Sequence, residues 1–256
     1  HDAGRWLLEP RGAALGRRAP GEATVRARRQ TTRAVGLFPD GPGSSSPDPA
    51  VVLAEELGEG AHVVGLDEVG RGPLAGPVVA AAVVLDEDAP IEGLADSKRL
   101  DSRARERLFD DILARARAVG VAAIEADVID ARNILRASLD AMAEAFAVCE
   151  AALGERVGGA VIDGNQLPPL PPRVRQRAVV GGDALSPAIM AASILAKVTR
   201  DRRMIEEAAR WPGYGFERHK GYPTPGHRQA LFRLGPCPLH RRSFAPVRAV
   251  IEAGAS

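Results

Sequence analysis

Four acidic residues stand where carboxylates could act together: the adjacent pair Asp67-Glu68 in "VVGLDEVGRGP", Asp163 in "AVIDG" and Asp183 in "AVVGGD". Each lies at or just beyond the carboxyl end of a Val-rich run that reads as a strand, and in open α/β sheets that edge is where ligands bind. If these strands are neighbours the carboxylates converge, and such a group must either take up protons or bind cations. An oxygen-only donor set, without His or Cys, selects Mg²⁺ or Mn²⁺ over zinc. Two such ions about 3.5 to 4 Å apart form a clamp for in-line displacement at a phosphodiester, one activating water and the other stabilising the leaving oxygen. Taken singly, each acid also reads as a turn former or a helix cap.

Positioning these acids requires a sheet. "HVVGL" and "GPVVAAAVVL" read as strands, being short, Val-rich and bounded by Gly or Pro. "DSRARERLFDDILARARAVG" reads as an amphipathic helix capped by Asp101 or Ser102, with Leu108, Ile112, Leu113, Ala116 and Val119 on one face and Gly120 as its stop. "VAAIEADV" is a further strand. "ARNILRASLDAMAEAFAVCEAALG" is a helix with Leu135, Leu139, Met142, Phe146 and Cys149 on one face, ending before Gly154. "GGAVID" and "RQRAVVGGD" return to strand, joined by the polyproline-like "QLPPLPP". Ser186 and Pro187 start a long helix, "AIMAASILAKVTRDRRMIEEAAR", whose Ala191, Ala192, Ser193 and Ala196 let it lie close to the sheet. Thr224, Pro225 and Gly235 bracket a short helix, "GHRQALFRL". The fold class is α/β, a mixed sheet covered by helices.

With 256 residues, 45% of them hydrophobic, the chain can build a sizeable core. Its 34 basic and 33 acidic residues leave a formal charge of +1, so attraction for nucleic acid has to come from local clustering. Such a cluster exists: Lys197 to Arg248 contains 12 Lys and Arg against 4 acids. Charge runs of this kind also serve simply as solvated faces. Cys149 and Cys237 have neither metal-ligand spacing nor a plausible disulfide framework, which fits a reducing, cytoplasmic setting. No apolar run approaches the ~18 residues of a membrane span. Residues 1–60 read as a low-complexity, disordered N-terminal tail, with scattered Arg and a "PDGPGSSSPDP" run. Glu9 and Glu22 count against an organelle transit peptide there.

"GLDEVGRGPLAGPVVAAAVVL", "LADSKRL", "VIDGN", "GGDALSPAIMAASILAKVTRDRRM", "YGFERHKGYPTPGHRQAL" and "HRRSFAPV" together resemble the ribonuclease HII family, in order and over residues 62 to 248. The resemblance implies a ribonuclease H-like mixed β-sheet flanked by helices, with a small C-terminal helical extension, in one catalytic domain over residues 61–254. It implies an endoribonuclease that hydrolyses the RNA strand of RNA–DNA hybrids and cleaves 5′ of ribonucleotides embedded in duplex DNA, leaving 5′-phosphate and 3′-hydroxyl ends. Carried over position by position, Asp67, Glu68, Asp163 and Asp183 become the catalytic carboxylates holding two Mn²⁺ or Mg²⁺ ions, with Asp67 bridging both. Met190 stands where the family commonly has a small residue, a departure that concerns packing.

An enzyme that singles out ribose must sense the 2′-hydroxyl. Gly70 and Gly72 allow a sugar to approach main-chain amides and carbonyls, and Arg71 between them can reach a phosphate; the plainer alternative is a glycine turn joining two strands. By resemblance, Gly70-Arg71-Gly72 is the ribonucleotide-sensing loop, Lys98 a phosphate contact, and Tyr222 the ring that stacks on the deoxyribose after the ribonucleotide. Tyr222 also reads as a loop aromatic packed on the C-terminal helix. Lys220 and His219 join the substrate-binding set, His219 for positioning rather than proton transfer. The expected partners are RNA–DNA hybrid and ribonucleotide-containing duplex, with no membrane and a monomeric state. Two other classes are weighed. A binding module that no longer cleaves would be expected to lack one of the four acids. A related nuclease on the same scaffold would have no reason to keep a ribose-sensing loop.

Overall fold

The computed structural model describes residues 47–94 and 101–254. Helix α1 (Pro49–Leu57) precedes strands β1 (His62–Val69) and β2 (Val78–Val84). Helix α2 (Ser102–Arg115), strand β3 (Ala118–Ile124), and helices α3 (Ala126–Arg132) and α4 (Ile134–Leu153) follow. Strands β4 (Val157–Asp163) and β5 (Arg175–Val179) lead through a 3₁₀ turn, Gly182–Ala184, into the long helix α5 (Pro187–Arg210). The chain then closes with α6 (Phe216–His219), α7 (Pro225–Leu234) and α8 (Ala245–Gly254), the small helical extension expected at the C-terminal end.

The five strands lie in the order β3-β2-β1-β4-β5. β1, β2 and β3 pair antiparallel, whereas β4 runs parallel to β1 and β5 parallel to β4. The carboxyl ends of β1, β4 and β5 therefore meet along one edge. All seven residues of β2 are buried, because α4 closes one face of the sheet and α5 the other. Its Ala80-Ala81-Ala82 centre keeps both helices near.

Two glycines set how near. A Cβ on Gly65 of β1 would lie 2.2 Å from the Ala188 carbonyl carbon in the first turn of α5. One on Gly120 of β3 would lie 2.1 Å from the Ala145 carbonyl oxygen and 2.5 Å from the Cys149 nitrogen of α4. Both contacts are to main chain, which cannot swing aside.

Gly120 also corrects a boundary. The expected helix running from Asp101 to a stop at Gly120 ends at Arg115, and Val119 and Gly120 belong to β3, where Gly120 pairs with Ala82. The glycine makes room for a helix instead of ending one. The tail expected over residues 1–60 is corrected likewise, since Pro49–Leu57 is helical. Asp48 caps it by accepting the Ala50 N–H, and Leu53 is fully buried against Val161, Val179 and Ile189. One well-placed leucine suffices where a sheet surface waits for it. Residues 1–46 lie outside the described residues. No helix among the described residues is long and apolar enough to cross a membrane.

If close helix approach is what Gly120 serves, Gly120→Ala costs about 1–3 kcal/mol in urea unfolding through overpacking. Gly158→Ala, whose Cβ would meet only ordinary contacts from 3.6 Å outward, is tolerated in the same assay.

Candidate active site

Strand alternation sends Asp67 and Glu68 to opposite faces of β1. Asp67 shares the α5 side with Gly65. Leu66 pairs with Ile162 in the parallel β1–β4 register, so Asp67 and Asp163 follow side by side on neighbouring strands and point the same way. Asp163 is the last residue of β4, and its Oδ1 accepts the Gly182 N–H at 2.7 Å. That bond draws the 3₁₀ turn carrying Asp183 against the end of β4. Gly181, left-handed at φ 66, makes the chain reversal from β5 into the turn. The four acids are thus gathered at one sheet edge by three parallel strands and one turn.

Asp67 is only 7% exposed. Burial pushes its carboxyl up to about 8; a hydrogen bond from Ser193 of α5 opposes this, and the charges of Glu68 and Asp163 add to it. Glu68 is also raised, by burial first, with Arg71 holding it down and Asp163 pushing it up. Burial first, and the neighbouring acids second, disfavour the charged form of these two carboxyls, a condition that a bound cation relieves. All the donors are oxygens, a set suited to a hard divalent ion. As the side chains stand, no three of the described His, Cys, Asp and Glu residues gather tightly enough to hold one. Asp67 Oδ1 accepts the Glu68 N–H at 2.7 Å, and Asp163 Oδ1 that of Gly182.

The segment from Gly70 to Pro77 lies beside this edge. Arg71 Nη1 is 3.3 Å from Glu68 Oε1, an exposed guanidinium on a mostly buried carboxylate, so the cation expected at a phosphate rests on an acid of the site. Gly70 is buried at φ +100, and a Cβ there would lie 2.4 Å from Arg200 Nε. Gly72 is exposed, and a Cβ there would meet open space. The first glycine therefore answers to the interior and the second faces outward.

Two fully buried arginines, neither singled out by sequence, hold this segment from behind. Arg200 of α5 donates to the carbonyls of Pro77, Ala75 and Lys220 at 2.9 to 3.1 Å. Arg241 donates to those of Gly70, Arg71, Pro73 and Gly76 at 2.6 to 3.0 Å. Burial lowers both guanidinium pKa values, Arg241 to about 9 with Arg200 adding to the effect.

Tyr222 is 37% exposed, its ring centroid 5.7 Å from the Arg200 guanidinium and 6.0 Å from Lys197 Nζ. Its main chain is fixed from three sides: its N–H donates to His219 O, and its carbonyl accepts from Thr224 N and His227 Nδ1. His219 uses both ring nitrogens on backbone, Nε2 at 2.8 Å from Tyr214 O and Nδ1 accepting the Gly221 N–H. That fits positioning. Lys220 adopts a left-handed φ of 51, and its Nζ donates to Glu217 O. Behind them His227 Nε2 and His240 Nε2 are 3.1 Å apart, and His240 Nδ1 accepts the Cys237 N–H. One neutral tautomer set satisfies every bond: His240 Nε2–H donates to His227, whose Nδ1–H donates to Tyr222. Burial lowers both pKa values, His240 to about 4. Lys98 lies outside the described residues.

Known proteins resemble this chain in family and fold. The family model for Ribonuclease HII matches residues 64–247. Ribonuclease HII of Burkholderia thailandensis is 55% identical over 193 residues, covering 75% of this chain and 87% of that protein. Among solved structures, ribonuclease H2 of Pyrococcus horikoshii OT3 is similar at TM-score 0.63 and 29% identity, over 76% of this chain and 99% of that one. A Bst-RNase HIII in complex with Mn²⁺ shares the fold at TM-score 0.63 and 18% identity, over 83% of this chain and 76% of that one.

The raised Asp67 sets a pH dependence. The folded protein keeps a proton that the unfolded chain releases near 3.8, so this contribution is complete below that value and is lost as pH rises to about 8. In chelator, the stability of wild type relative to Asp67→Asn is expected to fall by up to about 1.4 kcal/mol per pH unit across that window and to level off above it. Denaturant unfolding at a series of pH values measures the difference; a flat difference contradicts the assignment.

Proposed function

The chain belongs to the ribonuclease HII family, endonucleases that hydrolyse RNA in RNA–DNA hybrids, and from that premise we propose that this protein also cuts 5′ of single ribonucleotides in duplex DNA, using divalent cations held by Asp67, Glu68, Asp163 and Asp183. The observation that carries the reading is the side-by-side placement of Asp67 and Asp163 at the ends of parallel strands, with the Asp67 carboxyl pushed up to about 8 by its burial. When bound, two Mg²⁺ or Mn²⁺ ions supply a lowered water pKa and charge stabilisation at the leaving oxygen; the Mn²⁺ complex of the ribonuclease HIII fold relative is in keeping with this.

The protein's own groups do the rest. Ser193 and the Glu68 amide orient the Asp67 carboxyl, and Gly182 orients that of Asp163. The Gly70-Arg71-Gly72 loop presents main chain to the 2′-hydroxyl, and Tyr222 offers a fixed, half-exposed ring to the following sugar. Arg71, Lys98, Lys220 and the solvent-facing cations of the Lys197–Arg248 cluster attract the phosphate backbone. His219, with both nitrogens committed to backbone, holds Gly221 and Tyr222 in place. The setting is cytoplasmic, in keeping with two free, buried cysteines, and the working unit is a monomer.

The test is a labelled duplex bearing one ribonucleotide, incubated with Mg²⁺, Mn²⁺ or chelator beside an all-DNA control. Cutting 5′ of the ribonucleotide is expected only with cation; cutting of the control, or cutting unaffected by chelator, overturns the proposal. Asp67→Asn is expected to lower turnover by about a thousandfold or more while duplex affinity stays within a few-fold. Tyr222→Ala is expected to weaken the preference for an RNA-to-DNA junction, measured as the ratio of cleavage rates at junction and all-ribonucleotide sites.

A further inference from the structure

We infer that Arg241 is a positioning residue for ribose recognition: its buried guanidinium sets which peptide groups of the Gly70-Arg71-Gly72 loop face a bound strand. The inference rests on the reading that this loop senses the 2′-hydroxyl.

A guanidinium has five N–H donors in a rigid fork, and Arg241 spends them all on carbonyls of one short segment. Nε donates to Gly76 O at 3.0 Å, Nη1 to Arg71 O and Pro73 O at 3.0 and 2.8 Å, and Nη2 to Gly70 O and Gly76 O at 2.6 and 2.8 Å. No carboxylate shares these bonds. The Arg241 N–H takes Leu74 O, and Arg200 takes Ala75 O and Pro77 O. From Gly70 to Pro77, Gly72 alone has a carbonyl without an interior donor among the described residues.

Every peptide bond here is trans, so a carbonyl turned inward turns the next N–H outward. Pinning Gly70 O and Arg71 O therefore aims the Arg71 and Gly72 amides away from the interior, and neither meets an acceptor among the described residues. The Leu74 and Gly76 amides, by contrast, are taken by Gly221 O at 2.8 Å and Leu239 O at 2.9 Å. What remains for a ligand is two donors and one acceptor around Gly72, where a Cβ meets open space. A hydroxyl, which both donates and accepts, matches that set; a C–H at the same place matches none of it. An apolar side chain at 241 could fill the volume but could not hold these carbonyls. Lysine keeps the charge with three donors on a flexible stem.

The test uses Asp67→Asn as parent, so that duplexes are bound without being cut, and measures affinity for a single-ribonucleotide duplex and an all-DNA duplex by fluorescence anisotropy. Adding Arg241→Lys is expected to reduce the ribonucleotide preference about tenfold, with all-DNA affinity within about twofold. Retained preference, or an equal loss on both duplexes, overturns the role of Arg241 alone. Absence of preference in the parent overturns the ribose reading itself, and this inference with it. Amide exchange of wild type decides the matter if Arg241→Lys does not fold. Fast exchange at Arg71 and Gly72 beside protected Leu74 and Gly76 supports the assignment, and equal protection at all four refutes it.

Discussion

Negative charge crowded at the ends of parallel strands is the constraint to which the rest of the molecule answers. A five-residue strand or a glycine turn could be replaced by many others, but Asp67 and Asp163 are neighbours only because β4 runs parallel to β1 in the observed register. A one-residue slip would send Asp163 to the opposite face of the sheet. The close seating of α5 on Gly65 brings Ser193 to Asp67 and keeps that carboxyl from water, which raises its proton affinity. Electrostatic tension at the edge is thus a product of packing on the face.

The positive side of the ledger is arranged differently. Arg200 and Arg241 are fully buried yet are satisfied by peptide carbonyls instead of acids. Removing a guanidinium from water costs several kcal/mol even after relaxation, and eight hydrogen bonds to main-chain oxygens offset that cost while ordering a loop that has little apolar surface of its own. The result is a glycine-rich segment with the definition of regular structure. α5 links the two regions, since one helix supplies Ser193 to the acids and Arg200 to the loop.

Much of this was legible in the sequence, for identifiable reasons. β1, β2 and β4 are short Val-rich runs, α4 carries apolar residues at helical spacing, α5 and α7 open on Ser-Pro and Thr-Pro signals, and acids placed just after strands pointed to one sheet edge. Gly120 misled because a glycine after a helical pattern ordinarily stops it, whereas here it admits the backbone of α4. α1 was hidden by its short length and single deeply buried residue. Arg241 was hidden most completely. Its partner Gly70 is 171 residues away, and nothing in "HRRSF" distinguishes a cation that turns inward from one that faces solvent. His227 and His240 escaped for the same reason: local spacing does not report a contact formed only when the C-terminal helices fold back on the loop.

The imidazole chain behind Tyr222 has a consequence of its own. Its bonds are satisfied only when both rings are neutral, because an added proton would set two N–H groups facing each other at His227 or oppose the Cys237 amide at His240. The folded form therefore resists protonation that the unfolded chain accepts near 6.5, and this support fades as acidity increases towards about 4. Asp67 runs the other way, its contribution shrinking as pH rises from about 3.8 to about 8. The two effects therefore oppose each other between about 4 and 6.5, where falling pH strains the imidazole pair and relieves Asp67, so the whole domain responds to acid less steeply than either site would alone.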